Sequence, residues 1–161
     1  MLEDQLASKL QGRVVVVGVG DAAHGDDGVG PMVAGLLAEM GVDPVIDSGA
    51  SPELDTWRIR ELDPDTVLFV DAVDLGSAAG AMALLAPADL RSSGFDTHRA
   101  PIKLTMEYLE SELRCHCYLL GIQPVDVRNG AKMCSDVERS ARDAAALLWR
   151  NAKSELTRSA G

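Results

Sequence analysis

The sequence predicts an α/β fold: one domain with a mostly parallel sheet that is covered by helices on both faces. Continuous apolar, β-branched runs at Val14–Val17 and Thr66–Val70 are typical of strands buried on both faces. The segments between such runs show the apolar periodicity of helices. With 161 residues, no internal repeat and no Pro/Gly/Ser-rich linker, the chain has the length of a single domain, residues 1–161. We expect residues 1–12 and 151–161 to fray.

Local start and stop signals predict the other elements. Proline near a first turn and glycine at an exit mark helices, and short apolar runs between turn residues mark strands. The segment Ala81–Ala86 is ambiguous, and its flanking Gly80 and Pro87 favour a strand. The first of the other elements is a helix whose apolar face runs from Val29 to Met40, with Pro31 near the first turn and Gly41 at the exit. The remaining elements are a strand at Pro44–Asp47, a helix opened by Ser51 and Pro52, a helix opened by Pro101, a strand at Cys115–Gly121, and a closing helix whose Ser135–Glu138 start has capping-box spacing.

Composition excludes several classes of partner. A formal net charge of −10 and a pI near 4.6 argue against nucleic acid and against anionic membrane surfaces. Aromatic residues make up only 4% of the chain, which disfavours a stacking platform for bases or sugars. There are three cysteines, an odd number, and we find no signal-peptide pattern and no apolar run of membrane-spanning length. We therefore expect a cytoplasmic protein with reduced thiols.

The stretch Gly18–Gly30, here called the glycine loop, links the first strand to the following helix. Loops in this position bind ligands in open α/β sheets. No Lys or Arg occurs between Arg13 and Arg58, and the same segment carries eight carboxylates. This charge favours a cation. A dinucleotide site, suggested by the loose Gly18-x-Gly20-x-x-Ala23 match with Asp47 as ribose partner, has the wrong local charge but stays an alternative.

Three groups of residues at this edge could form a metal site. The pair Asp26 and Asp27 lies in the glycine loop, and Asp71 ends a strand that we expect beside it. His98 lies on a loop that we expect to return to the same edge. Two carboxylates and an imidazole form an incomplete coordination sphere that suits Zn²⁺ or Ni²⁺ and leaves positions open for substrate. Alternatively, Asp26 or Asp27 simply caps the following helix.

Other reactive side chains offer weaker candidates. His24 is a second possible ligand, although an exposed loop histidine is the simpler interpretation. In Cys115-His116-Cys117 the two cysteines share one face of a strand, which favours core thiols over a zinc site. Neither Ser51 nor Cys134 has an evident base, and no Gly-x-Ser-x-Gly elbow is present.

Five segments of the chain together match the pattern of a known family: Gly18–Pro31, Asp47–Glu53, Phe69–Asp74, Thr97–Pro101 and Gly121–Pro124. In order and spacing they resemble the hydrogenase maturation proteases, endopeptidases that trim the large subunit of nickel-iron hydrogenases. The likeness is strongest to the branch that serves the formate hydrogenlyase-type hydrogenase, and it extends over most of the chain.

This resemblance implies a twisted, mainly parallel five-stranded sheet and a monomer. It places metal ligands at Asp27, Asp71 and His98, and makes Asp27 and Asp71 the candidate catalytic residues of an aspartic-type endopeptidase. It also implies that the metal is nickel already inserted in the large-subunit precursor, so that no resident cofactor is expected. The enzyme then removes a carboxyl-terminal peptide. We favour metal-assisted positioning with water as nucleophile, in which the metal polarises the carbonyl or activates the water, or Asp27 or Asp71 acts as general base.

Asp21 departs from the family pattern, which usually has Asn at this position. The extra charge lies near the expected site and could replace a neutral hydrogen-bonding role. This departure supports a second hypothesis, a non-catalytic checkpoint protein that binds the nickel-loaded large subunit without cleaving it.

Overall fold

The computed structural model describes residues 1–92 and 101–161 and contains a five-stranded sheet with strand order β2-β1-β3-β5-β4. The first four strands in that order are parallel, and the edge strand β4 is antiparallel to β5. The predicted α/β class with a mostly parallel sheet is confirmed. The strands are β1 (Val14–Gly18), β2 (Val45–Asp47), β3 (Thr66–Ala72), β4 (Met82–Leu85) and β5 (His116–Ile122).

Helices lie on both faces of this sheet. One face packs against the helices nearest the chain ends and the helix after the glycine loop, and the other packs against two central helices. Two 3-10 turns, Gly25–Gly28 and Pro52–Asp55, precede α2 and α3. The helices are α1 (Leu2–Lys9), α2 (Val29–Glu39), α3 (Thr56–Leu62), α4 (Asp89–Ser92), α5 (Pro101–Leu113) and α6 (Ser135–Ser159).

The strand register brings the expected site residues to one edge. β3 lies between β1 and β5, and Gly18 at the end of β1 is paired with Val70 near the end of β3. Asp71 follows directly and is paired with Gly121 of β5. Because the carboxyl ends of parallel strands share an edge, the glycine loop, Asp71 and the segment after β5 are neighbours.

Two hydrophobic clusters hold the layers together. The first joins α1, α2 and α6 to the sheet, with Leu6, Leu37 and Ala141 among its buried members. The second joins α3 and α5 to the other face through residues such as Ile59 and Met106. Among the helices of the described residues, none is both long and apolar enough to cross a membrane.

The structure bears on three local predictions: the strand at residues 81–86, the fraying of the chain ends and the capping box before α6. The segment Ala81–Ala86 contains β4, so the strand interpretation is confirmed. Residues 1–12 and 151–161, where we expected fraying, largely belong to α1 and α6, and burial of Leu6 and Leu10 fixes the first of these against the core. The capping-box prediction at Ser135–Glu138 is wrong, because Cys134 is the N-cap of α6 and its backbone N–H is bound by a distant carboxylate, Asp26.

Candidate functional site

The glycine loop rests directly on the ends of the two central strands. Val19 continues the ladder by donating its N–H to Val70 O, at 2.8 Å. The first turn of α2 then passes so close to the sheet that a Cβ on Gly30 would collide with the carbonyl oxygens of Val19 and Val70. Only glycine permits this approach, and it places the N-terminus of α2 and the preceding 3-10 turn at the end of β3.

Asp27 lies in that 3-10 turn and is buried, with 6% of its surface exposed. The backbone N–H of Asp21 donates to Asp27 Oδ2 at 2.9 Å, so the carboxylate is turned toward the start of the glycine loop. This contact closes the loop on itself. Asp27 is therefore held in a fixed direction at the edge where we predicted it.

Asp71 is the second predicted carboxylate, and it is fully buried at the end of β3. Its Oδ1 accepts a hydrogen bond from the Ala72 backbone N–H at 2.8 Å. The 3-10 turn that carries Asp27 packs against β3. The structure thus brings Asp27 and Asp71 to one buried edge, as neighbouring parallel strands require.

Asp26 has a different role from the one that its sequence position suggests. The N-cap of α2 is Gly28, so neither member of the aspartate pair caps that helix. Asp26 is fully buried and points to the segment after β5, where it accepts hydrogen bonds from backbone N–H groups. The helix-cap alternative is therefore wrong for this pair.

Asp21 and His24 lie on the outer side of the glycine loop. Asp21 Oδ1 accepts the Ala23 N–H at 2.9 Å, and its Oδ2 lies 3.4 Å from His24 Nε2. The Nδ1–H of His24 donates to Val127 O at 3.3 Å. The contact between position 21 and Asp27 uses the backbone nitrogen, which Asn would supply equally. An Asn side chain would also supply the Oδ1 acceptor for the Ala23 N–H. Among these contacts, Asn at position 21 would therefore change only the charged contact with His24.

The third predicted ligand, His98, lies outside the described residues, as does most of the Thr97–Pro101 motif. Within residues 1–92 and 101–161, no group of three or more His, Cys, Asp or Glu side chains is arranged to hold a metal ion. Asp47, the candidate ribose ligand, is exposed at the end of β2 and accepts the Gly49 N–H.

The Cys115–Cys117 segment lies at the opposite edge of the sheet. Both thiols are buried and His116 between them is exposed, as the strand alternation predicted. The interaction with Cys115, together with burial, raises the pKa of Cys117 far above its usual value, and the same interaction lowers the pKa of Cys115. Both thiols belong to the second hydrophobic cluster, as the interpretation as core cysteines predicts.

Sequence reasoning missed the role of Gln123, a nearly buried side chain that follows β5. Its Oε1 accepts the N–H groups of Leu75 and Ser77, at 2.6 and 3.2 Å, and its Nε2 donates to Asp74 Oδ1 and to Pro124 O. Gln123 thereby braces the loop that follows Asp71. The only signal in the sequence was the Gly121–Pro124 segment, whose function we left unassigned.

Comparison with known proteins agrees with this geometry. A family model described as hydrogenase maturation protease matches residues 32–151, a range that contains Asp71 and His98 and begins just after the glycine loop. The Hydrogenase 3 maturation protease of Escherichia coli K12 is 37% identical over 113 residues, which are 68% of this chain and 72% of that protein.

Two solved structures extend the likeness to the fold. The NiFe hydrogenase maturation protease HycI from Thermococcus kodakarensis KOD1 superposes with a TM-score of 0.83 at 28% identity, covering 94% of this chain and 98% of that one. The solution structure of the endopeptidase HycI from Escherichia coli gives a TM-score of 0.76 at 32% identity, covering 84% and 88%. This chain therefore belongs to the hydrogenase maturation protease family and is a peptide-bond hydrolase.

Proposed function

We propose that this peptidase removes a carboxyl-terminal peptide from the precursor of a nickel-iron hydrogenase large subunit after nickel has been inserted. In this proposal Asp27, Asp71 and His98 contact the nickel that the precursor brings, and the enzyme carries no resident cofactor. The protein acts as a monomer on this one protein substrate.

The observation that supports this proposal best is the burial of Asp27 and Asp71 at one edge of the sheet, where Asp27 lies in the loop after β1 and Asp71 lies near the end of the neighbouring β3. Buried carboxylates at one edge of a sheet repel each other, and a divalent cation bound beside them offsets this repulsion. The segment from residue 14 to residue 57, which contains the glycine loop, carries no Lys or Arg and eight carboxylates, so its own charge is negative. The edge is therefore suited to a cation that arrives with the substrate.

The chemistry follows from an incomplete ligand set. Nickel held mainly by the precursor needs only a few added oxygen or nitrogen ligands to fix the precursor against the enzyme. Fixing the nickel also fixes the peptide bond that lies further along the precursor chain. Water then attacks that bond, and Asp27 or Asp71 is the candidate general base.

The deciding experiment compares nickel-loaded with nickel-free precursor as substrate. We expect the carboxyl-terminal peptide to be released from the nickel-loaded form only, and mass spectrometry measures this release. Equal cleavage of both forms would refute the nickel-reading part of the proposal and leave a peptidase that recognises its substrate by other means.

A histidine pair supplies the matched control for the third ligand. His98→Ala removes the proposed nickel contact, whereas His116→Ala changes an exposed histidine at the opposite edge of the sheet. We expect the first to lower cleavage of nickel-loaded precursor by at least about 10-fold, the loss expected for one ligand contact, and the second to leave it unchanged. Equal cleavage rates in the two variants would show that His98 does not contact the nickel.

A further inference from the structure

Asp26 is a buried carboxylate whose side-chain oxygens bind the segment after β5. Its Oδ2 accepts the backbone N–H groups of Val125 and Asp126, at 2.8 and 3.0 Å, and its Oδ1 accepts that of Cys134 at 2.7 Å. None of its surface is exposed. A carboxylate in such a place is stable only because charge-assisted hydrogen bonds replace its hydration. One side chain thus binds both ends of a segment that returns from β5 to α6, here called the 124–134 segment.

The backbone of the glycine loop reinforces the same connection. Asp26 N–H donates to Asp126 O and Gly130 N–H donates to Ala23 O, both at 2.8 Å. At Gly25, which has φ +58°, an added Cβ would collide with Asp126 O. Residues 23–26 of the glycine loop are therefore in direct backbone contact with residues 126–130 of the 124–134 segment.

We propose that Asp26 is a positioning residue for the peptidase site: it locks the 3-10 turn Gly25–Gly28 to the 124–134 segment and thereby sets the direction of Asp27. Asp26 touches neither the substrate nor the reacting atoms. The inference rests on the proposed function, because it takes Asp27 as a site residue. The structure also supplies a reporter of the effect, since the Asp21 N–H binds Asp27 Oδ2 at 2.9 Å.

Positioning differs from a contribution to stability alone. If Asp26 only stabilised the fold, weakening its contacts would lower the unfolding temperature and leave the folded enzyme fully active. If Asp26 sets the direction of Asp27, the same change lowers kcat in fully folded protein and raises KM for the nickel-loaded precursor, because Asp27 contacts the nickel that fixes the precursor.

A pair of substitutions at Cys134 isolates one backbone hydrogen bond to Asp26 and leaves the aspartate side chain unchanged. Cys134 has φ −73°, a value that proline adopts, and it lies outside α6 at the N-cap. Cys134→Pro therefore deletes the N–H that binds Asp26 Oδ1, and Cys134→Ala keeps it. Both variants lose the thiol, which also interacts with Asp26, so Cys134→Ala is the matched control for the backbone hydrogen bond. Asp26→Asn is the second variant, since it keeps the shape of the side chain but turns one acceptor into a donor facing N–H groups.

The experiment measures kcat and KM on nickel-loaded precursor, and amide hydrogen exchange of Asp21 in the free protein, below the unfolding temperature of each variant. We expect Cys134→Pro to lower kcat by about 10-fold, the loss that accompanies one charge-assisted hydrogen bond, and to speed Asp21 exchange relative to Cys134→Ala. Asp26→Asn has the larger effect on both quantities and replaces Cys134→Pro if that variant fails to fold.

Two results overturn the inference. One is a folded Cys134→Pro or Asp26→Asn protein with the kcat of the Cys134→Ala control, and the other is Asp21 exchange that does not differ from that control. Failure of the proposed function is recognised separately, because the unsubstituted protein would then not cleave nickel-loaded precursor. Asp21 exchange needs no substrate, so it still decides whether Asp26 orients Asp27.

Discussion

The glycine loop and the Cys115–Cys117 segment both concentrate residue types that bind metals, but they lie at opposite edges of one sheet. At the carboxyl edge, backbone N–H groups bind three carboxylates: Asp21 donates to Asp27, Ala72 at the end of β3 donates to Asp71, and the segment after β5 donates to Asp26. At the amino edge, Cys115 and Cys117 enter the core under α5, and the Cys117 N–H is bound by Glu110. Strand direction, rather than residue type, separates the candidate site from the core.

The largest expected effect tests this separation directly. Asp27→Asn and Asp71→Asn each remove a charge at the carboxyl edge and nearly preserve the shape of the side chain. We expect each to lower kcat/KM for nickel-loaded precursor by at least about 100-fold, because a general base or a charged nickel ligand is lost. Peptide release measured by mass spectrometry gives the rates.

Asp65→Asn is the matched control at the amino edge. Asp65 is an exposed residue that accepts the Arg13 N–H at 2.7 Å. It lies directly before β3, whereas Asp71 lies near the end of the same strand. We expect its rate to stay within about twofold of the unsubstituted protein, the range of an ordinary surface change. A loss at Asp65 equal to that at Asp71 would show that charge anywhere along β3 matters, and the comparison of edges would fail.

The sequence predicted this edge well because strand signals are local and strong. The apolar runs before Gly18 and before Asp71 identify two buried strands, and parallel strands place their carboxyl ends together whatever lies between. The exposed position of His116 between two buried cysteines follows in the same way from strand alternation.

The contacts of Asp26 and Gln123 could not be predicted in that way. Asp26 binds N–H groups that lie 99 to 108 residues away in the chain, and no periodicity links such positions. The false capping box at Ser135–Glu138 has the same cause, since a carboxylate from another loop binds the N-cap N–H of α6. Long-range contacts through the backbone leave no pattern of residue types to detect.

A glycine pair in α2 tests whether the carboxyl edge depends on close backbone approach. Gly30→Ala would drive a methyl group into the carbonyl oxygens of Val19 and Val70, so α2 has to move away from the sheet. We expect a loss of about 2 kcal/mol in the free energy of unfolding, measured by urea denaturation, and a lower cleavage rate.

Gly35→Ala, in the same helix, has open space around its added Cβ. It should stabilise the protein by roughly 0.5 to 1 kcal/mol through helix propensity and leave cleavage unchanged. If the two alanine variants have the same free energy of unfolding, close packing of α2 on the strand ends does not determine the geometry of the edge.

The amino edge is tested by Cys117→Ala. The change removes a buried thiol from the second hydrophobic cluster, and we expect a loss of about 1 kcal/mol in the free energy of unfolding with no change in cleavage. In the native protein, Cys117 should also resist alkylation at pH 8.5, because its burial and raised pKa keep the thiol protonated, whereas half-buried Cys134 reacts first. Loss of peptidase activity in a folded Cys117→Ala protein would show that the amino edge takes part in the reaction, and the comparison of the two edges would fail.

The smallest expected effect concerns Asp21, the residue that departs from the family pattern within the glycine loop. Asp21→Asn keeps the N–H that binds Asp27 and the Oδ1 that accepts the Ala23 N–H, and it loses only the half-exposed pair with His24. We expect cleavage within about twofold of the unsubstituted rate. Asp21→Ala, which removes the Oδ1 acceptor, should reduce cleavage more. A rate that rises 10-fold or more in Asp21→Asn would show instead that the charge at position 21 restrains the site, and the geometry of the loop would not explain its activity.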